Sequence, residues 1–310
     1  MREQRCRRAT KPSNPSTSAA SAQTKSMVHA VSIESEHRPS GAHQMEPVLQ
    51  SARTSAIVIF GALLGAVPGA QAAQQDEIQV YADEINKPGE FTLQMHVNGT
   101  PSGITVQGYK NEYLTNGGLR FSPEFAYGLT RDIELGAYVP EGVTDKNGDS
   151  FYAGSKVRVK YLPLQPDEEK GGFFAGANIE LSSLNRRIQE SRAQTELRLI
   201  SGYKAPDWII AFDPVFDWSM SHLNGGDTPD FNYGIKATHN VFKGIDIGAE
   251  YYSDIGPLNH TYSWSQQDNR IYAVVDIDMK PLVLNLGVGY GLTEASDRWT
   301  VKAIFDVPLK

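Results

Sequence analysis

At 310 residues the chain has room for one large β domain or two ordinary ones, and its single cysteine, Cys6, excludes an internal disulfide framework or a cysteine-built metal site. Acidic residues outnumber basic ones, 36 to 29, which argues against the basic surface that nucleic-acid phosphates require.

Chain order begins with a leader. Residues 1–52 are rich in Ser, Ala, Thr, Pro and basic groups and show no apolar period, the composition of a disordered segment. Residues 53–72 hold one arginine, an apolar run from Ala56 to Val67, and Ala70-Gln71-Ala72. That is the layout of a secretory signal peptide with its cleavage site. The run falls short of the ~20 apolar residues of a spanning helix. Met45 lies just ahead of it and gives a signal of ordinary length, so translation is expected to start near Met45. Residues 73–310 then carry 21 basic against 32 acidic groups and no cysteine.

From Glu90 onward, twelve stretches alternate in polarity with period two, the mark of strands with unlike faces. The first sets Phe91, Leu93, Met95 and Val97 against Thr92, Gln94 and His96. In the second, Arg120 and Glu124 oppose Phe121, Phe125 and Tyr127; in the third, Asp132 and Glu134 oppose Ile133 and Leu135. Lys156, Arg158 and Lys160 face away from Val157, Val159 and Tyr161. Glu180 opposes Ile179 and Leu181, and Arg192, Glu196 and Arg198 oppose Leu197, Leu199 and Tyr203. The seventh stretch brackets Ile210, Phe212 and Phe216 between Trp208 and Trp218, with Asp213 and Asp217 opposite. Lys236 marks the polar side of the eighth, and Asp246 and Glu250 that of the ninth, against Tyr251. Arg270, Asp276 and Asp278 oppose Ile271 and Ile277; Gly287, Gly289 and Gly291 oppose Leu286 and Val288. Last, Arg298 and Lys302 oppose Trp299, Val301 and Phe305.

The connections alternate too: short turns follow the even stretches and longer polar loops mostly follow the odd ones. An even strand number with short turns on one rim describes an outer-membrane barrel. Ten residues from Trp208 to Trp218 span ~33 Å at about 3.3 Å each, which a tilt of about 40° reduces to roughly 25 Å, the height of the lipid-facing band. Trp208, Trp218, Trp299, Tyr251 and Phe305 are therefore read as membrane-interface aromatics. A polar face this charged makes no dry soluble core and is read as the lumen lining. The expected fold is all-β: a 12-stranded antiparallel up-and-down transmembrane barrel over residues 73–310, with both termini in the periplasm. Pro214, inside the seventh stretch, cannot complete a ladder and is expected to mark a bulge.

Lys156, Arg158 and Lys160 stack three cations on one face. They form either an anion-attracting ladder or, as preferred here, cross-strand pairs with Asp132, Glu134 and Glu180. Tyr138, Tyr152, Tyr252 and Tyr272 fall on the lumen side and either stack an aromatic solute or plug the path. His222 and His260, with Ser219, Ser221 and Ser263 near in sequence, make no nucleophile–base pattern. No enzyme, metal site or cofactor is expected; the expected partner is outer-membrane lipid.

Residues 123–140, PEFAYGLTRDIELGAYVP, resemble a strand–turn–strand hallmark of the MetA-pathway of phenol degradation family of bacterial outer-membrane proteins. LGVGYGLTEASDRWTVKAIFDVP at 286–308 is similar to that family's closing hairpin, and KPGEF at 87–91 to its opening. The resemblance implies an outer-membrane barrel linked to small aromatic or other organic compounds. Two functions follow as expectations: passive passage of small solutes through a narrow charged lumen, or a structural or adhesive barrel closed by its own ion pairs. Amino-terminal sequencing of the unprocessed precursor is expected to begin at Met45; a precursor beginning at Met1 overturns that assignment.

Overall fold

The computed structural model describes residues 76–220 and 228–309. The leader at 1–52, the signal peptide at 53–72, and Ser221 and His222 lie outside the described residues. Twelve strands follow in order: β1 (Phe91–Ser102), β2 (Gly118–Gly128), β3 (Ile133–Thr144), β4 (Ser150–Leu164), β5 (Gly172–Leu184), β6 (Ala193–Lys204), β7 (Trp208–Ser219), β8 (Asp230–Phe242), β9 (Ile245–Pro257), β10 (Asp268–Met279), β11 (Leu282–Gly291) and β12 (Trp299–Leu309). Each pairs antiparallel with its sequence neighbours, and β1 with β12 completes the ring. Closure leaves no strand edge unpaired, the condition a sheet must meet within lipid.

Burial runs opposite to that of a soluble barrel. Ile179, Ile210 and Val157 are more than half exposed, while Arg120, Glu124 and Arg270 are 2% exposed or less. Period two explains both: one parity turns its apolar side chains outward, and the other turns charge toward the axis. Trp208 and Trp299 open β7 and β12, and Trp218 is the last but one residue of β7. Trp208 stacks on His239 at 4.3 Å, and Trp299 meets Tyr290 edge-on at 4.9 Å. Tyr251 and Phe305 instead sit mid-strand, and the Tyr251 hydroxyl donates to Asn269.

Two expectations are corrected here. Pro214 makes no bulge: β7 keeps one register against β8 throughout, with Pro214 opposite Tyr233. The ladder to β6 is instead interrupted between the Arg198–Val215 and Ser201–Phe212 pairs, without a shift, so the missing N–H faces β6. Tyr152 is exposed rather than in the lumen. The β3–β4 ladder slips between Tyr138 and Gly142, and Gly154 lies at that bulge with φ 153°. One extra residue reverses the facing of everything beyond it. Ahead of β1, the Asp76 carbonyl accepts from Asn98, the eighth residue of β1, so the segment leading into β1 lies inside the barrel.

Restoring the absent donor with Pro214→Val, on the lipid-facing parity, is expected to stabilise the barrel by about 1 kcal/mol. This would appear as a higher temperature for conversion from the compact to the unfolded band on heated gels.

Candidate functional site

Residues 76–89 form no strand and run along the lumen to the short-turn rim. Ile78, Val80, Tyr81 and Ala82 are all buried. Val80, Tyr81 and Ala82 pack on lumen-facing residues that are not charged, Leu162, Phe174, Ile200 and Ala211, with Ile209 and Tyr252 alongside, while Ile78 packs on Tyr272 and Val274. An extended segment without a partner strand still has to satisfy its backbone. Side chains from around the wall do so. The Tyr81 amide donates to Asp213 at 2.6 Å, Lys302 donates to the Ile78 carbonyl at 2.8 Å, and Arg198 to the Gln79 carbonyl at 3.0 Å. The Asn86 amide donates to Glu134 at 2.7 Å. Lys160, Arg198 and Arg158 surround the Tyr81 ring, with cations 4.6, 4.6 and 5.8 Å from its centre. The Tyr81 hydroxyl lies 3.4 Å from that of Tyr138, which donates to Glu77.

Around this plug the wall charges pair in groups. Arg158 donates to Glu124 on β2 and, at 2.7 Å, to Glu134 on β3. Gly136 makes room for it, since a Cβ there would fall 2.7 Å from the arginine side chain. Arg120 donates to Glu141 at 2.5 Å. Lys156 reaches Asp76 at 2.5 Å and Glu180 at 3.4 Å. On the far wall, Lys302 pairs with Glu250, and Lys236 with Asp276 at 2.7 Å. Arg270 makes two bonds to Asp268, at 2.8 and 2.7 Å. The three-cation face of β4 is thus neutralised, with Asp76 and Glu124 in part taking the place expected of Asp132.

Of the other sequence-assigned lumen residues, Glu196 lies 3.0 Å from Arg198, and Asp217 accepts from Asn232 at 2.7 Å. Four do not line the interior. Arg192 lies in the β5–β6 loop and is exposed. Arg298 precedes β12 and stacks on the outward Tyr290 ring at 4.4 Å. Asp132 sits in the turn beside Arg131, and Asp278 at the short-turn end of β10 beside Lys280; both are more than a third exposed. Alternation extrapolated past a strand end loses its meaning, because a loop has no fixed facing. Asp246 lies at the same rim and accepts from Asn240.

Between the plug and the long loops lies a cavity of about 370 Å³. Asp76, Glu77 and Gln79 form its inner side. Tyr109 and Glu112 of the β1–β2 loop and Ile188 and Glu190 of the β5–β6 loop lie toward the rim. Burial lifts the Glu112 carboxyl above its ordinary range, against two backbone amides that favour its charge. Sequence reasoning missed Glu77, Tyr81, Glu141 and Asp254. The signal for the plug was present in QVYADEI at 79–85, apolar residues with no strand pattern and no helix.

Among solved structures, an outer membrane channel from Pseudomonas putida F1 aligns with a TM-score of 0.50 at 12% identity, covering 75% of this chain and 100% of its own. The fold shared with it is that of an outer-membrane β-barrel. The KdgM porin aligns with a TM-score of 0.48 at 9% identity, over 71% of this chain and 99% of its own. No family model and no curated protein matches the sequence.

Arg158 is 6% exposed and compensates two buried carboxylates. Arg158→Gln is expected to destabilise the barrel by about 3–5 kcal/mol, read as a lower unfolding temperature in detergent. Arg131→Gln, at the exposed turn, is expected to leave that temperature unchanged.

Proposed function

We propose that this protein passes small solutes passively across the outer membrane and that residues 76–89 are the element that closes its path. The observation that supports this reading is the division of the lumen. One half is filled by the segment, while the half beneath the long loops holds a cavity of about 370 Å³. The segment is held by side chains rather than by a β ladder, so its release breaks individual hydrogen bonds and ion pairs and leaves all twelve strands paired. Displaced, it uncovers Leu162, Phe174, Ile200 and Ala211, an apolar strip beside the tyrosines. Such a strip suits small aromatic or other organic solutes, the class implied by the resemblance to the MetA-pathway of phenol degradation family.

The density of ion pairs supports a second reading, a structural barrel that never opens. Planar-bilayer recordings separate the two. Wild-type protein is expected to conduct weakly and intermittently, and a variant lacking residues 76–86 to conduct steadily and several-fold more. If both are silent while the deletion variant still shows a heat-modifiable fold, the closed-barrel reading replaces this one.

A further inference from the structure

We infer that the cavity above the plug is a binding site for a small organic cation, an ammonium group carried on an apolar body. This inference rests on the passage reading and names the class of solute that first lodges there. Nine carboxylates line the cavity against three cations. All three cations are already engaged: Lys156 with Asp76 and Glu180, Arg120 with Glu141, and Arg198 with Glu196. Glu77, Glu112, Glu190, Asp217 and Asp254 have no cation within 4 Å among the described residues. Acidic groups thus outnumber basic ones on the lining, which biases the field inside toward cations, and low-dielectric walls strengthen such a field.

Glu77 turns that field into a site. It is 8% exposed, one of its oxygens accepts from the Tyr138 hydroxyl at 3.0 Å, and the other, Oε1, has no partner. A buried carboxylate oxygen left unpaired at a cavity wall calls for a donor, and a charged donor most of all. A site for a tightly coordinated metal ion is not formed, because among the described residues no three acidic, histidine or cysteine side chains converge closely enough to hold one. The rest of the lining suits an organic body. Leu184, Ile188 and Val215 supply apolar surface and Tyr252 an aromatic ring, and an ammonium is attracted to an aromatic face as well as to a carboxylate. The volume lies at the lower end of ordinary ligand sites, roughly 300–1,000 Å³.

The test is calorimetry on the whole barrel in neutral detergent, with benzylammonium and benzoate as probes. They share a ring and differ in charge. Benzylammonium is expected to bind and benzoate not to. Glu77→Gln, which keeps an acceptor for Tyr138, is expected to weaken benzylammonium by about tenfold, equivalent to one step of about 1.4 kcal/mol. Glu190→Gln, on an exposed loop, is a second variant expected to weaken it less, and Asp167→Asn, at the opposite rim, is expected to change nothing. Equal binding of the two probes, or full affinity in both glutamate variants, overturns the inference. Because calorimetry reads occupancy, selective binding by a barrel that proves silent in bilayers overturns the passage reading and leaves the site standing; steady conductance without selective binding does the reverse.

Discussion

A charge turned inward from a membrane wall has two sources of compensation, an opposite charge or water. Here the first dominates. Arg158 makes the point: one guanidinium bonds carboxylates on two different strands and flanks the Tyr81 ring. Taking such ions from water costs several kcal/mol each, and the cost is recovered only where the geometry satisfies most of their hydrogen-bonding capacity. The lumen is thus a polar core with stricter geometric demands than an apolar one, since a mispaired charge is far costlier than a misplaced methyl group. The lipid-facing side chains have only to be apolar, whereas the inward ones must match partner by partner.

That constraint also explains why the plug is part of the structure rather than an appendage. Asp76 supplies a carboxylate that Lys156 uses, and the Ile78 and Gln79 carbonyls take donors from Lys302 and Arg198. Remove the segment and these cations lose partners at the same moment that an apolar strip is wetted. The two penalties favour the seated position, yet neither breaks a ladder bond of the wall. A barrel built this way keeps its wall and its closure as separate energetic units.

The legible and illegible parts of the sequence divide along the same line. Strand number, order and outward face were readable because lipid imposes a rule on every second residue, seen from Phe91 in β1 to Phe305 in β12. Reading failed where the rule was interrupted. The bulge at Gly154 turned Tyr152 outward, and Pro214 cost a ladder bond without costing register. Arg192 and Arg298 lay beyond the strand ends, where period two no longer applies. The lumen partners were only half legible. Neighbour-strand pairs such as Glu134 with Arg158 follow from register, but Glu124 with Arg158 crosses β3, and no period in the sequence encodes that reach. Leu162, Phe174 and Ile200 were the missed clue. Each is apolar on the polar parity, which a wholly solvated lumen does not explain and a buried plug does.

If the barrel passes solutes as proposed, the two ends of the lumen ask different things of a traveller. Beneath the long loops the lining is rich in carboxylates, Glu77, Asp217 and Asp254 among them, whereas around Val80 and Tyr81 an apolar strip lies beside cations that are already paired. A purely hydrophilic ion meets an unfavourable second half, and a purely apolar molecule gains nothing from the first. A molecule with one charged end and one apolar body suits both in sequence: its cation is held while its body lies nearest the plug, where Val80 and Tyr81 cover a surface of the same character. On the proposed passage reading, competition for Leu162, Phe174 and Ile200 is the step at which the solute displaces the segment, and the strength of the plug's few side-chain bonds sets how often that competition is won.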